Sequence, residues 1–251
     1  MELSLSNKKV LITGSSKGIG KSIAEEMIKE GCKILINGRD EVSLRETFNE
    51  INPFDYIVGD VSESQGAEFV VSKAVEILGS IDILVCNVGS GNSAPPGKET
   101  IKDWEESLRL NLFSTINVVN KSIPFLEKNQ GSVICISSIC GLEVIPNAPI
   151  TYSASKAALN SYVKGIARPL GNKGIRINAI CPGNIIFKDS VWEKKSINDP
   201  NKVYDFLKNE VSLKSFGSPE DIGKLTCYLA SSLSRFATGS IWTLDGGQIR
   251  S

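Results

Sequence analysis

A doubly wound α/β sheet, mostly parallel and seven-stranded with helices on both faces, is the fold this sequence predicts. Three observations lead there. Short apolar runs recur along the 251 residues and are apolar on both faces, as strands buried in a parallel sheet are. Longer segments with helical apolar spacing separate them, which is the β-α-β order of such a sheet. No Pro/Ser-rich linker, repeat or charge block interrupts the alternation, so residues 1–251 read as one domain.

The strands are expected at Lys9–Ile12, Lys33–Asn37, Asp55–Val58, Ile83–Cys86, Ser132–Ser137, Arg176–Cys181 and Ser240–Leu244. Helical spacing puts Ile19, Ile23, Met27 and Ile28 on one face of Ile19–Lys29. It does the same for Val70, Val71, Ala74, Val75 and Leu78 in Ala67–Leu78. One long helix is expected from Asp103 to Glu127 and another from Tyr152 to Leu170. Ser218-Pro219-Glu220-Asp221 reads as an N-cap, a proline at the first helical position and acids in the first turn. The stretch 184–215 is the least patterned and is expected to be a mobile substrate lid.

Composition narrows the chemistry. Lys plus Arg and Asp plus Glu both number 28, and this balance gives no basic excess for nucleic acid. The chain has no histidine, which excludes Ser-His-Asp and Cys-His mechanisms and His-ligated metals, so no metal site is expected. Proton transfer falls to Tyr, Lys, Asp, Glu or Cys. The six cysteines contain no CxxC pair and mostly sit in apolar runs, as buried free thiols do. A reducing cytoplasm is expected, with no membrane span and no signal-peptide pattern.

The first strand runs into Thr13-Gly14-Ser15-Ser16-Lys17-Gly18-Ile19-Gly20, and a helix follows at once. This is the setting of a phosphate-binding loop: Gly14 permits the turn, Gly18 admits a diphosphate and Gly20 lets helix pack on strand. The second strand ends Asn37-Gly38-Arg39-Asp40. An NAD site places an acid at this strand end. Here Gly38 stands there, with Arg39 beside it and Lys17 in the loop. Two cations favour a 2′-phosphate and hence NADP over NAD, unless Asp40 reaches back to the ribose.

Tyr152 and Lys156 lie four residues apart, on one helix face. A free tyrosine has a pKa of about 10, and a neighbouring ammonium favours its phenolate. Ser137 and Ser138 end a core strand at the edge where open α/β sheets bind ligands, and either could instead cap the next turn. Asn111 is unfavourable in mid-helix and asks for a reason, either solvation or a held water.

With these residues in place the sequence resembles the short-chain dehydrogenase/reductase family, in its short, single-domain, Rossmann-type branch. The resemblance runs from Lys9 to Gly247 through Thr13–Gly20, Asp60-Val61, Asn87-Val88-Gly89, Asn111, Ser138, Tyr152–Lys156, Pro182-Gly183 and Asp245-Gly246-Gly247. It implies that Tyr152 is the general acid in reduction and the base in oxidation. Lys156 lowers its pKa and binds the nicotinamide ribose, Ser138 bonds the substrate oxygen, and Asn111 positions a water leading from Lys156 to solvent. The cofactor is expected on Gly14, Ser16, Lys17, Gly18, Ile19 and Gly20, with Arg39 at the ribose. Asp60 and Val61 contact the adenine, and Asn87 and Gly89 lie beside the fourth strand. Pro182, Gly183 and the backbone around Ile185 lie toward the nicotinamide. Transfer of the 4-pro-S hydride follows from the same resemblance.

Three positions depart from the family pattern. The usual Asn-Asn-Ala-Gly reads Cys86-Asn87-Val88-Gly89, and Phe187 stands near the place of a carboxamide-binding threonine. The expected substrate is a small carbonyl or alcohol, polar or sugar-like, met by Ser138, Glu143, Asn184 and Trp192, though Trp192 could equally anchor the lid. Two alternatives stand beside a ketone reductase: a 3-oxoacyl thioester reductase and a non-catalytic NADP-binding regulatory module. No extra substrate domain, such as epimerases and dehydratases carry, is expected after Pro182. A homotetramer or homodimer is the expected assembly.

Overall fold

The computed structural model describes residues 2–250. Its sheet has seven strands, β1 (Lys9–Thr13), β2 (Lys33–Gly38), β3 (Asp55–Val58), β4 (Ile83–Cys86), β5 (Ser132–Ile136), β6 (Arg176–Pro182) and β7 (Ile241–Leu244). Their order is β3-β2-β1-β4-β5-β6-β7. Every pairing is parallel, so the expected "mostly parallel" sheet is wholly so.

Alternation along each strand divides the core. Leu11, Leu35, Leu84 and Val133 face one side, where helices α3 (Ser64–Leu78), α5 (Ser114–Asn129) and α6 (Ile150–Gly171) cover them. Val10, Ile12, Ile34, Ile36 and Ile134 face the other, under α1 (Gly18–Lys29) and α9 (Pro219–Ala230). Val10, Leu11 and Ile12 are wholly buried, and each such side chain contributes roughly 1.5–3 kcal/mol. Gly223 of α9 packs so closely on α1 that a Cβ there would come within 2.6 Å of Glu26 Cγ.

Ser218 caps α9 in a full capping box with Asp221, and Pro219 opens the helix, as the sequence predicts. Three expectations need correction. Helix α2 (Glu41–Ile51) was not foreseen, because its apolar face is thin and it buries only Leu44 and Thr47. The stretch 184–215, expected as the least patterned, holds α7 (Val191–Asn198) and α8 (Pro200–Glu210), which are polar overall and bury only Val203 between them. The long helix around Asn111 exists but is not uniform. It runs as α4 (Ile101–Leu108), a π-helical turn at Arg109–Phe113, then α5.

The strand order reverses between β1 and β4, so the loops leaving their C-terminal ends diverge to opposite faces and open a crevice. Asn87 Nδ2 donates to the Gly14 carbonyl oxygen at 2.7 Å and ties these loops together.

Candidate active site

A cavity of about 610 Å³ fills that crevice, within the range of ligand sites. One end is the β1–α1 loop. Gly14 and Gly18 have φ of 62° and 56°, a region glycine enters without strain. A Cβ on Gly20 would lie 2.4 Å from the Gly14 carbonyl oxygen, so loop and helix pack as expected of that glycine. Lys17, the N-cap of α1, is extended and gives no side-chain cap, and the first turn carries no acid. The first amides of α1 therefore face the cavity without a side-chain partner, as an anion site requires. Thr47 donates to the Ser16 carbonyl oxygen at 2.6 Å and pins the loop to α2.

Ser16, Lys17, Gly18, Ile19, Arg39, Asp60 and Val61 all line this end. Asp40 accepts from the Ser43 amide at 2.8 Å and caps α2, a use that competes with reaching a ribose. Burial alone would raise the Asp60 pKa, but hydrogen bonds from the Ser62 hydroxyl and amide outweigh it and leave the carboxyl below its ordinary value. Arg109, which the sequence reading passed over, reaches from the π turn to Ser62, to Glu63 at 3.1 Å and to Asp60 at 3.7 Å. It also holds Glu106, three residues before it, with two bonds of 2.9 Å, while Asp60, Ser62 and Glu63 lie more than 40 residues upstream, out of range of a local pattern.

At the other end are Asn87, Gly89, Ser137, Tyr152 and Lys156. Lys156 is only 3 % exposed. Its ammonium donates to the Ile136 carbonyl oxygen at 2.8 Å and stands 5.9 Å from the centre of the Tyr152 ring. Burial lowers its pKa to about 8. Burial pushes the Tyr152 phenol up to about 12, with the Ser138 hydroxyl bond pulling the other way. The phenol is thus a proton donor at neutral pH. Ser138 also caps the following turn, its oxygen accepting from the Cys140 amide at 3.1 Å.

Asn111 is wholly buried in the π turn. Its Oδ1 accepts from the Ser90 amide at 3.0 Å, and its Nδ2 donates to the carbonyl oxygens of Ser107 at 3.0 Å and Ser90 at 3.1 Å. Gly89 lies between it and Lys156: a Cβ there would be 2.8 Å from Asn111 Oδ1 and 3.1 Å from Lys156 Nζ. The widened turn gives a reason for a mid-helix asparagine, since π turns free the geometry of one residue.

Other expected residues sit elsewhere. Pro182 ends β6, and the Gly183 amide donates to Leu244. Asn184 and Ile185 line a second cavity, of about 350 Å³, beside Phe216 and Leu244. Glu143 Oε1 accepts from the Arg250 amide at 3.1 Å. Trp192 stacks on Phe206 of α8 at 4.8 Å and lies 5.2 Å from Phe216, just past the segment. Phe187 lines the main cavity with its ring seated on Gly18, where a Cβ would come within 2.7 Å of Cε2. Among the described residues no cluster of three His, Cys, Asp or Glu could hold a metal.

Comparison with known proteins bears on the family and the fold. The profile of a family described as enoyl-(acyl carrier protein) reductase matches residues 14–248. The chain is 31 % identical to glucose 1-dehydrogenase 2 of Bacillus subtilis, covering 97 % of this chain and 95 % of that protein. It is 33 % identical to a 3-oxoacyl-[acyl-carrier-protein] reductase of Chlamydia trachomatis, covering 97 % and 98 %. Its structure superposes on L-sorbose reductase from Gluconobacter frateurii, solved with NADPH and L-sorbose. The TM-score is 0.91 and the identity 28 %, over the whole of both chains.

Proposed function

The chain belongs to the short-chain dehydrogenase/reductase family and is an oxidoreductase of that class, and from that premise we propose that it interconverts a ketone and a secondary alcohol with NADP. One observation carries this reading: a single cavity joins a free helix N-terminus to Tyr152 and Lys156. The residues fit a dinucleotide. The first amides of α1 would hold its diphosphate, Arg39 and Lys17 a 2′-phosphate, Asp60 and Val61 the adenine, and Lys156 the nicotinamide ribose. When bound, the nicotinamide exchanges a hydride with the substrate carbon. NADP is preferred over NAD because cations, and no free acid, stand at the end of β2.

Tyr152 donates its proton to the carbonyl oxygen in reduction and recovers it in oxidation. Ser138 holds that oxygen by a hydrogen bond. Lys156, kept in place by Ile136, stabilises the phenolate left behind. Asn111 fixes the loop at Ser90 and stands where a proton path from Lys156 would begin.

Segment 184–215 is read as the cover of the substrate end, because Phe187 lines the cavity and α7 and α8 bury little beneath them. The substrate is a small carbonyl or alcohol, polar or sugar-like. A 3-oxoacyl thioester is the second reading, supported by the Chlamydia relative. The protein is read as cytoplasmic, in keeping with six free cysteines. It is read as a homotetramer or homodimer, and gel filtration with light scattering tests the assembly. No described helix is long and apolar enough to cross a membrane.

The deciding experiment is NADPH consumption against ketones, keto-sugars and acetoacetyl thioesters, with NADH and Tyr152→Phe as controls. Turnover that requires NADPH and Tyr152 is expected, and the responding class selects between the two substrates. NADPH binding without turnover of any of them would overturn the reading.

A further inference from the structure

The turn at Arg109–Phe113 stands between the two ends of the cavity and is tied to both. Consecutive helical residues point about 100° apart, so three in a row reach three different places. Arg109 reaches the loop after β3. Its guanidinium donates to the buried Ser62 hydroxyl and to Glu63 at 3.1 Å, and it grips Glu106 of α4 with two bonds of 2.9 Å. Leu110 lines the cavity. Asn111 holds the loop after β4 through the Ser90 amide and carbonyl oxygen. It also donates to the Ser107 carbonyl oxygen, and the Ser107 hydroxyl shares a 3.1 Å hydrogen bond with Ser155, between Tyr152 and Lys156 on α6.

At the ribose end the link runs into a group that faces the cavity. Ser62 joins Arg109 to Asp60: its hydroxyl and amide donate to Asp60 Oδ1 at 2.6 and 2.9 Å. Among the described residues nothing donates a hydrogen bond to Asp60 Oδ2, which stands 3.7 Å from Arg109 on a residue lining the cavity. That oxygen is open to a donor on the adenine, and its capture would stiffen Asp60, Ser62 and Arg109 together. Asn117 of α5 donates to the Ser62 carbonyl oxygen at 3.1 Å, so the loop after β3 is tied to the helix at and beyond the turn. Exposed ion pairs alone contribute little. What sets this one apart is the buried hydroxyl between guanidinium and carboxylate.

We infer that Arg109 is a positioning residue, through which the adenosine half of the cofactor orders the part of the site that takes the nicotinamide half. The inference rests on the dinucleotide reading above. A first ligand that stiffens a shared segment spares the second that part of the ordering cost, so the two halves bind with positive coupling. Binding energy from the remote adenosine is then used at the reacting end.

The test supplies the cofactor in two pieces, adenosine 2′-phosphate and reduced nicotinamide mononucleotide. Only the second brings a phosphate to α1, so the two do not collide there. In wild type, saturating adenosine 2′-phosphate should tighten the mononucleotide by roughly 5–150-fold, the usual range of coupling between sites, and the reverse titration should give the same factor. Arg109→Ala should still bind each piece alone, with the factor reduced to about one. Ser62→Ala, which breaks the same link at a single hydroxyl, should do the same. Hydrogen exchange should show adenosine 2′-phosphate slowing the amides of 109–114 in wild type and not in Arg109→Ala. No coupling in wild type, the wild-type factor kept by either variant, or no slowing of the turn would overturn the inference and leave the cofactor reading standing. Failure of adenosine 2′-phosphate to bind wild type would overturn the cofactor reading itself, and the role of Arg109 with it.

Discussion

The two ends of the cavity each present a cation, and they use it in opposite ways. Arg39 at the ribose end is exposed to water. Lys156 at the reacting end is only 3 % exposed, with its ammonium on a main-chain oxygen. An exposed guanidinium keeps its charge at any physiological pH and selects among ligands by what it attracts. A buried ammonium loses hydration, so its proton is held less firmly and its charge becomes a variable. One end of the site sorts cofactors and the other moves protons, and burial separates the two tasks.

Four experiments bear on that contrast. The largest expected effect is at Tyr152. Tyr152→Phe should keep NADPH binding and lose turnover by roughly 10²–10⁴-fold, the scale of general acid–base catalysis. A rate near wild type would take Tyr152 out of proton transfer and leave the buried end with no acid.

Lys156 sharpens the comparison through pH. Its pKa of about 8 means the charge is present below that pH and lost above it. Ketone reduction should therefore fall as pH rises through about 8, while Tyr152, at about 12, stays a phenol and adds no limb in that range. Lys156→Arg, which does not titrate there, should abolish the limb even if the rate is lower throughout. Its survival in the arginine variant would assign the limb to another group.

At the exposed end, Arg39→Ala should weaken NADPH by roughly 10–100-fold, the worth of a hydrogen bond to a charged group, and leave NADH nearly unchanged. Equal losses for both cofactors would break the division of labour. The smallest effect is at Asp40. As the cap of α2, its replacement by alanine should lower the melting temperature slightly with no change in the NADH-to-NADPH preference. A selective loss of NADH binding would instead show the carboxylate on the ribose.

Much of this was legible in the sequence, and what was not has a common cause. Strands such as Val10-Leu11-Ile12 announce themselves because a sheet buried on both faces makes every residue apolar. The loop from Gly14 to Gly20 is legible because its chemistry is contiguous along the chain. Helices α2, α7 and α8 escaped because they are polar overall and bury at most two side chains each, so few apolar residues mark their spacing. Arg109 escaped for a different reason: beside its local pair with Glu106, it reaches Ser62, Glu63 and Asp60, which are distant in sequence. Asn184, Ile185 and Trp192 follow from position along the chain, but the structure sends them to a second cavity and to an aromatic stack. Side-chain direction after β6 depends on packing that spacing does not encode. Phe187 was visible as a departure, while its seat on Gly18 was not.

The turn at Arg109–Phe113 has a consequence for how this chain tolerates insertions and deletions. A π turn amounts to one surplus residue spliced into an α-helix, and such helices close up readily when that residue is lost. A one-codon deletion there would leave the helices on either side docked as before, so the protein should still fold. Asn111 would swing off its bearing toward Ser90, by up to about 100° for one residue. The buried amide would lose its partners, which costs some stability, but the larger loss should be in turnover. Length variants at this turn are therefore the ones in which abundance and activity should part company.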